Sequence, residues 1–114
     1  MLVDDSRTAR AKVRSMLVAD GIEVVEFGDG SEALAGYAAQ RPDWVLMDLE
    51  MAEVDGFSAT RQIKSKFPEA RVVILTSFND EFMKAAAVEA GACGYVLKDD
   101  VESIRKLVKP QGES

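Results

Sequence analysis

Short apolar runs alternate with helix-patterned segments five times along this chain, and no other feature constrains the fold as strongly. The runs fall at residues 1–4, 22–27, 44–47, 72–75 and 95–97. Runs that are apolar at successive positions indicate parallel strands covered by helices on both faces. Short links between the elements suit right-handed crossovers. The alternation therefore predicts an α/β fold, a (βα)₅ doubly wound parallel sheet of five strands.

Segments with helical periodicity follow each of these runs. Their apolar residues recur at spacings of three and four, and residues that start or stop helices stand at their ends. For the first segment, Asp5 or Ser6 is the expected N-cap and Gly21 the expected stop. The predicted helices are residues 6–20, 31–40, 57–67, 81–90 and 100–108.

The length allows one domain. The chain has 114 residues, within the usual range for a single core. We expect residues 1–108 to form the domain and residues 109–114, which are polar, to be a tail or linker stub. The first apolar run reaches two aspartates after three residues, so we expect the chain to begin inside its first strand. A cytoplasmic location is expected, because neither a signal peptide pattern nor an apolar run of ~20 residues is present.

The composition excludes several kinds of chemistry. The chain has no histidine and one cysteine, which excludes histidine-based catalysis, histidine-ligated zinc and an internal disulfide framework. Its formal net charge of −6 argues against direct binding of nucleic acid or a membrane surface by this domain, because both need clustered Lys and Arg. Chemistry in this chain must therefore use carboxylates, hydroxyls and lysine.

Reactive side chains follow four of the five predicted strands. They are Asp4 and Asp5, Asp48, Thr76 and Lys98. Because ligands of open parallel sheets bind at the carboxyl ends of the strands, we expect these side chains to converge at one edge.

Three carboxylates in one place repel one another unless a cation relieves the repulsion. Oxygen ligands suit Mg²⁺, with Mn²⁺ as the alternative. Asp48 could offer one oxygen to the metal and use the other as a nucleophile, as carboxylates do in forming aspartyl-phosphates. Lys98 would add positive charge, and Thr76 and Ser77 would donate to a phosphoryl oxygen.

These motifs resemble the receiver domain of two-component response regulators, a CheY-like family, from Leu2 to about Leu107. The matching segments are residues 2–5, Asp48 with Met51 and Asp55-Gly56, residues 73–77 and residues 91–98. The resemblance implies the flavodoxin-like strand order 2-1-3-4-5 and a phosphoacceptor switch within a phosphorelay.

The same resemblance implies a role for each site residue. Asp48 would accept a phosphoryl group from the histidine of a sensor kinase or phosphotransfer protein. Asp5 would bind Mg²⁺ directly together with Asp48 and the backbone carbonyl of Glu50, and Asp4 would act indirectly or through a water.

The switch would belong to three further residues. Thr76 and Lys98 would be the switch hydroxyl and the phosphate-binding lysine, and the rotamer of Tyr95 would follow Thr76. Ser77 would support the phosphate pocket. The domain would be regulatory rather than an enzyme, with weak self-phosphorylation from small donors and self-dephosphorylation.

One departure from the family pattern lies in a loop of the site. Receivers usually carry Pro after the Met that follows the phosphoacceptor, and here that position is Ala52. Losing a fixed φ loosens the loop slightly without removing a ligand. Residues 75–80 with the Lys98-Asp99 pair are similar to regulators that carry a LuxR-type helix-turn-helix output domain.

Other functions and partners stay open from the sequence. The alternatives are a phosphorylation-independent interaction domain and a Mg²⁺-dependent phosphohydrolase that forms an aspartyl-phosphate. The signal would pass to a downstream protein or to a missing output domain. A phosphorylation-dependent homodimer is also open, because Phe78, Phe82 and Met83 either form an exposed apolar strip or belong to the core.

Two residues have plain structural interpretations. Gly56, after Asp55, is expected in a turn with positive φ. Cys93, between small residues, is expected to be a buried or half-buried filler.

Overall fold

Five parallel strands form one sheet in the order β2-β1-β3-β4-β5 in a computed structural model, which describes residues 1–108. This is the order expected from the resemblance, and the α/β prediction is confirmed. The tail predicted for residues 109–114 lies outside the described residues. The strands are β1 (Leu2–Val3), β2 (Glu26–Phe27), β3 (Val45–Asp48), β4 (Val72–Thr76) and β5 (Gly94–Leu97).

A helix follows each strand, as predicted. A side chain caps the amino end of the first helix: Ser6 accepts a hydrogen bond from the Ala9 N–H, so Ser6 rather than Asp5 is its N-cap. Asp55 and Asp80 cap the third and fourth helices in the same way. The helices are α1 (Arg7–Ala19), α2 (Ala33–Gln40), α3 (Gly56–Lys66), α4 (Glu81–Ala90) and α5 (Val101–Val108), and a 3₁₀ turn at Gly30–Glu32 precedes α2.

Alternate residues of the strands build two cores, one on each face of the sheet. Val3, Met47 and Ile74 pack on one face with buried side chains of α2, α3 and α4. Leu2 and Leu46 pack on the opposite face with buried side chains of α1 and α5. Helices therefore cover both faces of the sheet, and the polar strand ends are left at its edge.

The second strand is shorter than the sequence pattern indicates. The prediction was residues 22–27, but only Glu26–Phe27 are strand. The register pairs Leu2 with Glu26 and Val3 with Phe27, so the ladder between β1 and β2 consists of these two pairs.

Two local expectations were wrong. Gly56 is the first residue of α3 and does not have positive φ, which among the described glycines belongs to Gly21 and Gly91. Gly56 is needed for space instead, because a Cβ there would lie 2.2 Å from the backbone oxygen of Asp48. Cys93 is exposed rather than buried, since it lies in the link before β5 and only its backbone N–H pairs with Val72 of β4.

Within residues 1–108, the structure contains no helix with the length and apolar character that crossing a membrane requires.

Candidate functional site

The strand register brings the predicted acidic residues to one edge of the sheet. β1 pairs with β3 so that Val3 lies beside Met47. The residue after Val3 and the residue after Met47 are both aspartates, Asp4 and Asp48. Both side chains are buried, whereas Asp5 is exposed at the edge. One carboxylate oxygen from each of the three residues lies within 4.8 Å of the others.

Lys98 reaches this cluster from the end of β5. Its Nζ lies 2.7 Å from Oδ1 of Asp48 and 3.0 Å from Oδ2 of Asp4. Its backbone N–H donates to the Thr76 carbonyl at 2.8 Å, which holds the lysine beside the end of β4. One ammonium group therefore bridges two buried carboxylates.

Asp4 is the most enclosed of the three carboxylates, with 1% of its surface exposed. Its Oδ1 accepts from the Ser6 N–H at 2.9 Å, and its backbone oxygen accepts from Nη1 of Arg10 at 2.6 Å. Its Oδ2 is buried, and no donor in residues 1–108 is directed at it with hydrogen-bond geometry. The contact with Lys98 is therefore one of charge alone.

Oδ2 of Asp4, which accepts no hydrogen bond from the described residues, lies beside the carboxylates of Asp5 and Asp48. Together these oxygens form a ligand set that suits a divalent cation. Mg²⁺ prefers carboxylate and carbonyl oxygens and completes its shell with water. Asp5 lies at the open side, where ligand waters would enter. The residues present thus fit the metal that the sequence predicts.

Electrostatics at the site separate Asp48 from ordinary surface carboxylates. Burial raises the pKa of Asp48 to about 6, and the charges of Asp4 and Asp5 act in the same direction. The hydrogen bond and charge of Lys98 oppose that rise. For Lys98 itself, burial lowers the pKa, but its close pairing with the carboxylates of Asp48 and Asp4 outweighs burial and raises it.

The predicted switch residues meet at the backbone of Phe78. Its N–H donates to Oγ1 of Thr76 at 3.2 Å, and its carbonyl accepts from the Tyr95 hydroxyl at 2.6 Å. Thr76 is buried at the end of β4, while Phe78 is about half exposed. Because Oγ1 accepts in this bond, the hydroxyl proton of Thr76 stays available for another acceptor.

Two other predicted site residues lie on the loops around the cluster. Glu50 is exposed in the β3–α3 loop, two residues after Asp48, and Ser77 is exposed just beyond the end of β4. In the described part of the chain, neither residue forms a hydrogen bond or an ion pair with the carboxylate cluster.

Sequence reasoning missed three residues around the site. Arg10 donates to the backbone of Asp4, Phe78 joins Thr76 to Tyr95, and Asp29 binds the loop after Asp48. Phe78 acts through backbone atoms, for which side-chain type carries no signal. Arg10 and Asp29 had weak signals only, as a cation on the first helix and an acid in a turn.

Comparison with known proteins decides the family. Residues 1–109 match the response regulator receiver domain family. This chain belongs to that family. The receiver domain is a regulatory module of two-component systems, so the fold prediction and the resemblance drawn from the sequence are both confirmed.

Two relatives show how much of a longer protein this receiver domain covers. It is 39% identical to the response regulator protein VraR of Staphylococcus aureus over 121 aligned residues, which cover 100% of this chain and 57% of VraR. It is 34% identical to the chemotaxis protein CheY of Bacillus subtilis, over 86% of this chain and 82% of CheY. The receiver domain therefore spans little more than half of one relative and most of the other.

A solved structure agrees with this placement. The two-component response regulator of the LuxR family from Aurantimonas sp. SI85-9A1 superposes with a TM-score of 0.87 at 37% identity. The match covers 93% of this receiver domain and 78% of that chain.

Proposed function

We propose that this receiver domain accepts a phosphoryl group on Asp48 and relays the change through Thr76 and Tyr95. The observation that carries the proposal is the position of the Asp48 carboxylate. It is buried at the sheet edge, 2.7 Å from the Lys98 ammonium and within 4.8 Å of the oxygens of Asp4 and Asp5.

In the proposed transfer, an oxygen of Asp48 attacks the phosphorus of a phosphohistidine on a sensor kinase or phosphotransfer protein. An O–P bond forms, the N–P bond breaks, and its electron pair returns to the partner's imidazole. Lys98 moves from Asp48 to a phosphoryl oxygen. Phosphoryl transfer depends chiefly on positioning and charge neutralisation, so this lysine matters more than any proton-transfer group.

Asp5, Asp48 and the backbone carbonyl of Glu50 would hold Mg²⁺ or Mn²⁺, with Asp4 acting indirectly or through a water. When bound, the ion supplies positive charge against the phosphoryl oxygens. Asp4 then has a second task, because its buried carboxylate keeps Lys98 within reach of Asp48.

The proposed switch follows from the hydrogen bonds at Phe78. When Thr76 turns its hydroxyl to a phosphoryl oxygen, the bond from the Phe78 N–H to Oγ1 is lost. Tyr95, which donates to the carbonyl of the same residue, then loses a fixed partner. The change reaches α4 and β5 at the surface, where a partner would sense it.

The partners are proposed by family membership and by the exposed side chains near α4. A sensor kinase would supply the phosphoryl group, and a downstream protein or an output domain would receive the signal. Phe78 and Phe82 are exposed, whereas Met83 packs on the core. Two of the three residues of the expected apolar strip therefore lie at the surface. This strip leaves a phosphorylation-dependent homodimer open. The expected cytoplasmic location and the lack of direct nucleic-acid binding stay predictions.

The test is to incubate the protein with Mg²⁺ and acetyl phosphate and to measure intact mass over time. We expect one added phosphoryl group, followed by slow loss as water attacks the aspartyl-phosphate. The Asp48→Asn variant should gain none. The Asp55→Asn variant, which changes an exposed cap seven residues away, should behave as wild type.

Unchanged mass in the wild type under these conditions, together with no response to beryllofluoride, would contradict the proposal and favour a phosphorylation-independent interaction domain. Sustained consumption of acetyl phosphate in many-fold excess over protein would instead indicate the phosphohydrolase alternative.

A further inference from the structure

Asp29, in the β2–α2 loop, ties that loop to the loop after Asp48. Its Oδ1 accepts from the Glu53 N–H at 3.0 Å, and its Oδ2 accepts from the Val54 N–H at 3.1 Å. Oδ2 also accepts from the Ser31 N–H at 2.8 Å at the start of the 3₁₀ turn. One carboxylate thus satisfies three backbone donors on two separate segments.

The two loops also touch directly beside this carboxylate. Gly30 is buried, and a Cβ there would lie 2.3 Å from the backbone oxygen of Val54 and 3.1 Å from Cβ of Ala59. Any larger residue at this position would push the loops apart. The β3–α3 loop is therefore held from outside by Asp29 and packed against Gly30.

The β3–α3 loop has little of its own to hold it. Ala52 stands where receivers usually carry Pro, so no ring fixes the backbone there. The loop begins at the end of β3 and is fastened at its far end, where the Gly56 N–H donates to the Leu49 carbonyl at 2.9 Å. Between these points lie Glu50, Glu53 and Val54, of which the last two are held by Asp29.

The charge state of Asp29 keeps its hydrogen bonds to the loop in place at neutral pH. The Glu53 N–H, with further backbone donors, lowers the pKa of Asp29 to about 2. The carboxylate is therefore ionised throughout the neutral range, and charge-assisted bonds from backbone N–H groups are stronger than neutral ones.

We propose that Asp29 is a positioning residue for the metal and phosphoryl site, which acts by holding the β3–α3 loop that carries Glu50 next to the carboxylate cluster. This inference rests on the proposed function, since it assigns the Glu50 carbonyl to the metal. Outer partners that orient metal ligands typically change metal affinity ten- to a hundredfold when removed. Asp29 would have an effect of this size without touching the ion.

The test compares Mg²⁺ affinity by calorimetry in the wild type and three variants. We expect Asp29→Ala to raise the Kd about tenfold or more. The Kd of Asp29→Asn should lie between those of the wild type and Asp29→Ala. Its single amide oxygen can accept either from the Glu53 N–H or from the Ser31 and Val54 N–H groups, but not from all three. Glu53→Ala is the matched control: it removes an exposed side chain, keeps the N–H that Asp29 accepts from, and should leave the Kd unchanged.

Amide hydrogen exchange on the metal-free protein gives a second readout. Exchange at Glu53 and Val54 should be faster in Asp29→Ala, while Leu75 in the centre of the sheet should be unchanged, which separates loosening of the loop from global unfolding. If Asp29→Ala does not fold, Asp29→Asn carries the same comparison.

The outcomes separate the two proposals. Mg²⁺ binding by the wild type with an equal Kd in Asp29→Ala overturns the role of Asp29 and leaves the proposed function standing. Failure of the wild type itself to bind Mg²⁺ overturns both. Weaker binding with unchanged exchange at Glu53 and Val54 overturns the loop mechanism.

Discussion

Asp29 and Asp48 are the same side chain placed in two opposite environments, one in the loop after β2 and one at the end of β3. Asp29 is partly exposed and accepts three backbone hydrogen bonds, led by that from Glu53, which lower its pKa to about 2. Asp48 is buried with neighbouring carboxylates, and burial raises its pKa to about 6.

From this difference we infer that Asp29 is structural and that Asp48 is available for chemistry. A carboxylate whose oxygens are satisfied by backbone donors has nothing to gain from a new ligand. A buried carboxylate that depends on a single lysine gains from any further positive charge. We therefore expect the incomplete charge compensation of Asp48 to favour cation binding at this site. Four predictions test this contrast, in order of decreasing effect.

Lys98→Met should destabilise the metal-free protein by about 3 kcal/mol, because it leaves Asp4 and Asp48 buried without their cation. Denaturant unfolding measures the change. Lys12→Met, which alters an exposed cation on α1, is the control and should change stability little. Equal effects of the two substitutions would mean that Lys98 does not compensate the buried charges.

Mg²⁺ should stabilise the wild type and have little effect on Asp48→Asn. At an ion concentration a hundredfold above its Kd, binding adds about 2.7 kcal/mol to the free energy of unfolding. Thermal unfolding with and without Mg²⁺ measures this change. A buffer in which NaCl replaces Mg²⁺ at equal ionic strength is the control. An equal rise of Tm in Asp48→Asn would show that the ion binds elsewhere.

The same replacement should have opposite effects at the two aspartates in the absence of metal. At pH 7, Asp48→Asn should stabilise the fold by on the order of 1–2 kcal/mol, since it removes a buried negative charge. Asp29→Asn should destabilise it by about 1 kcal/mol, because at least one backbone donor loses its acceptor. Urea unfolding of both variants measures this, and effects of the same sign would break the comparison.

The two aspartates should also make stability depend on pH in opposite directions. The folded pKa of Asp48 lies above its ordinary value of 3.8, so its contribution favours folding below about pH 4 and is lost as pH rises through about 6. The folded pKa of Asp29 lies below 3.8, so its contribution is present above about pH 4 and is lost as pH falls toward 2.

Urea midpoints measured from pH 2 to 8 give this dependence, with each Asn variant as its own reference. The advantage of Asp48→Asn over the wild type should grow between pH 4 and 6, and the deficit of Asp29→Asn should shrink below pH 4. A flat difference for either pair would exclude that aspartate as the titrating group.

Much of the fold was readable from the sequence because its signals are local. The fourth helix, predicted at residues 81–90, begins and ends there in the structure. Asp80 accepts two N–H bonds at its start, and Gly91 ends it with a φ of 103°. A short polar cap and a glycine act through neighbouring backbone, so their effect needs no tertiary contact.

Other elements could not be predicted, because distant partners decide them. Residues 22–24 have strand character, yet the ladder between β1 and β2 joins only Glu26 and Phe27 to Leu2 and Val3. Gly56 looked like a turn glycine, but the backbone of Asp48 leaves no room for a Cβ there. Neither the pairing of strands nor the close approach of two backbone segments can be predicted from a local residue pattern.

By itself, the sequence determined the order of strands and helices, the reactive residues at the strand ends and the chemistry they allow, since alternation and side-chain type are local properties. Only the tertiary structure decided which carboxylate is left undercompensated and which is saturated. That distinction depends on donors far along the chain, on Lys98 for Asp48 and on Glu53 and Val54 for Asp29.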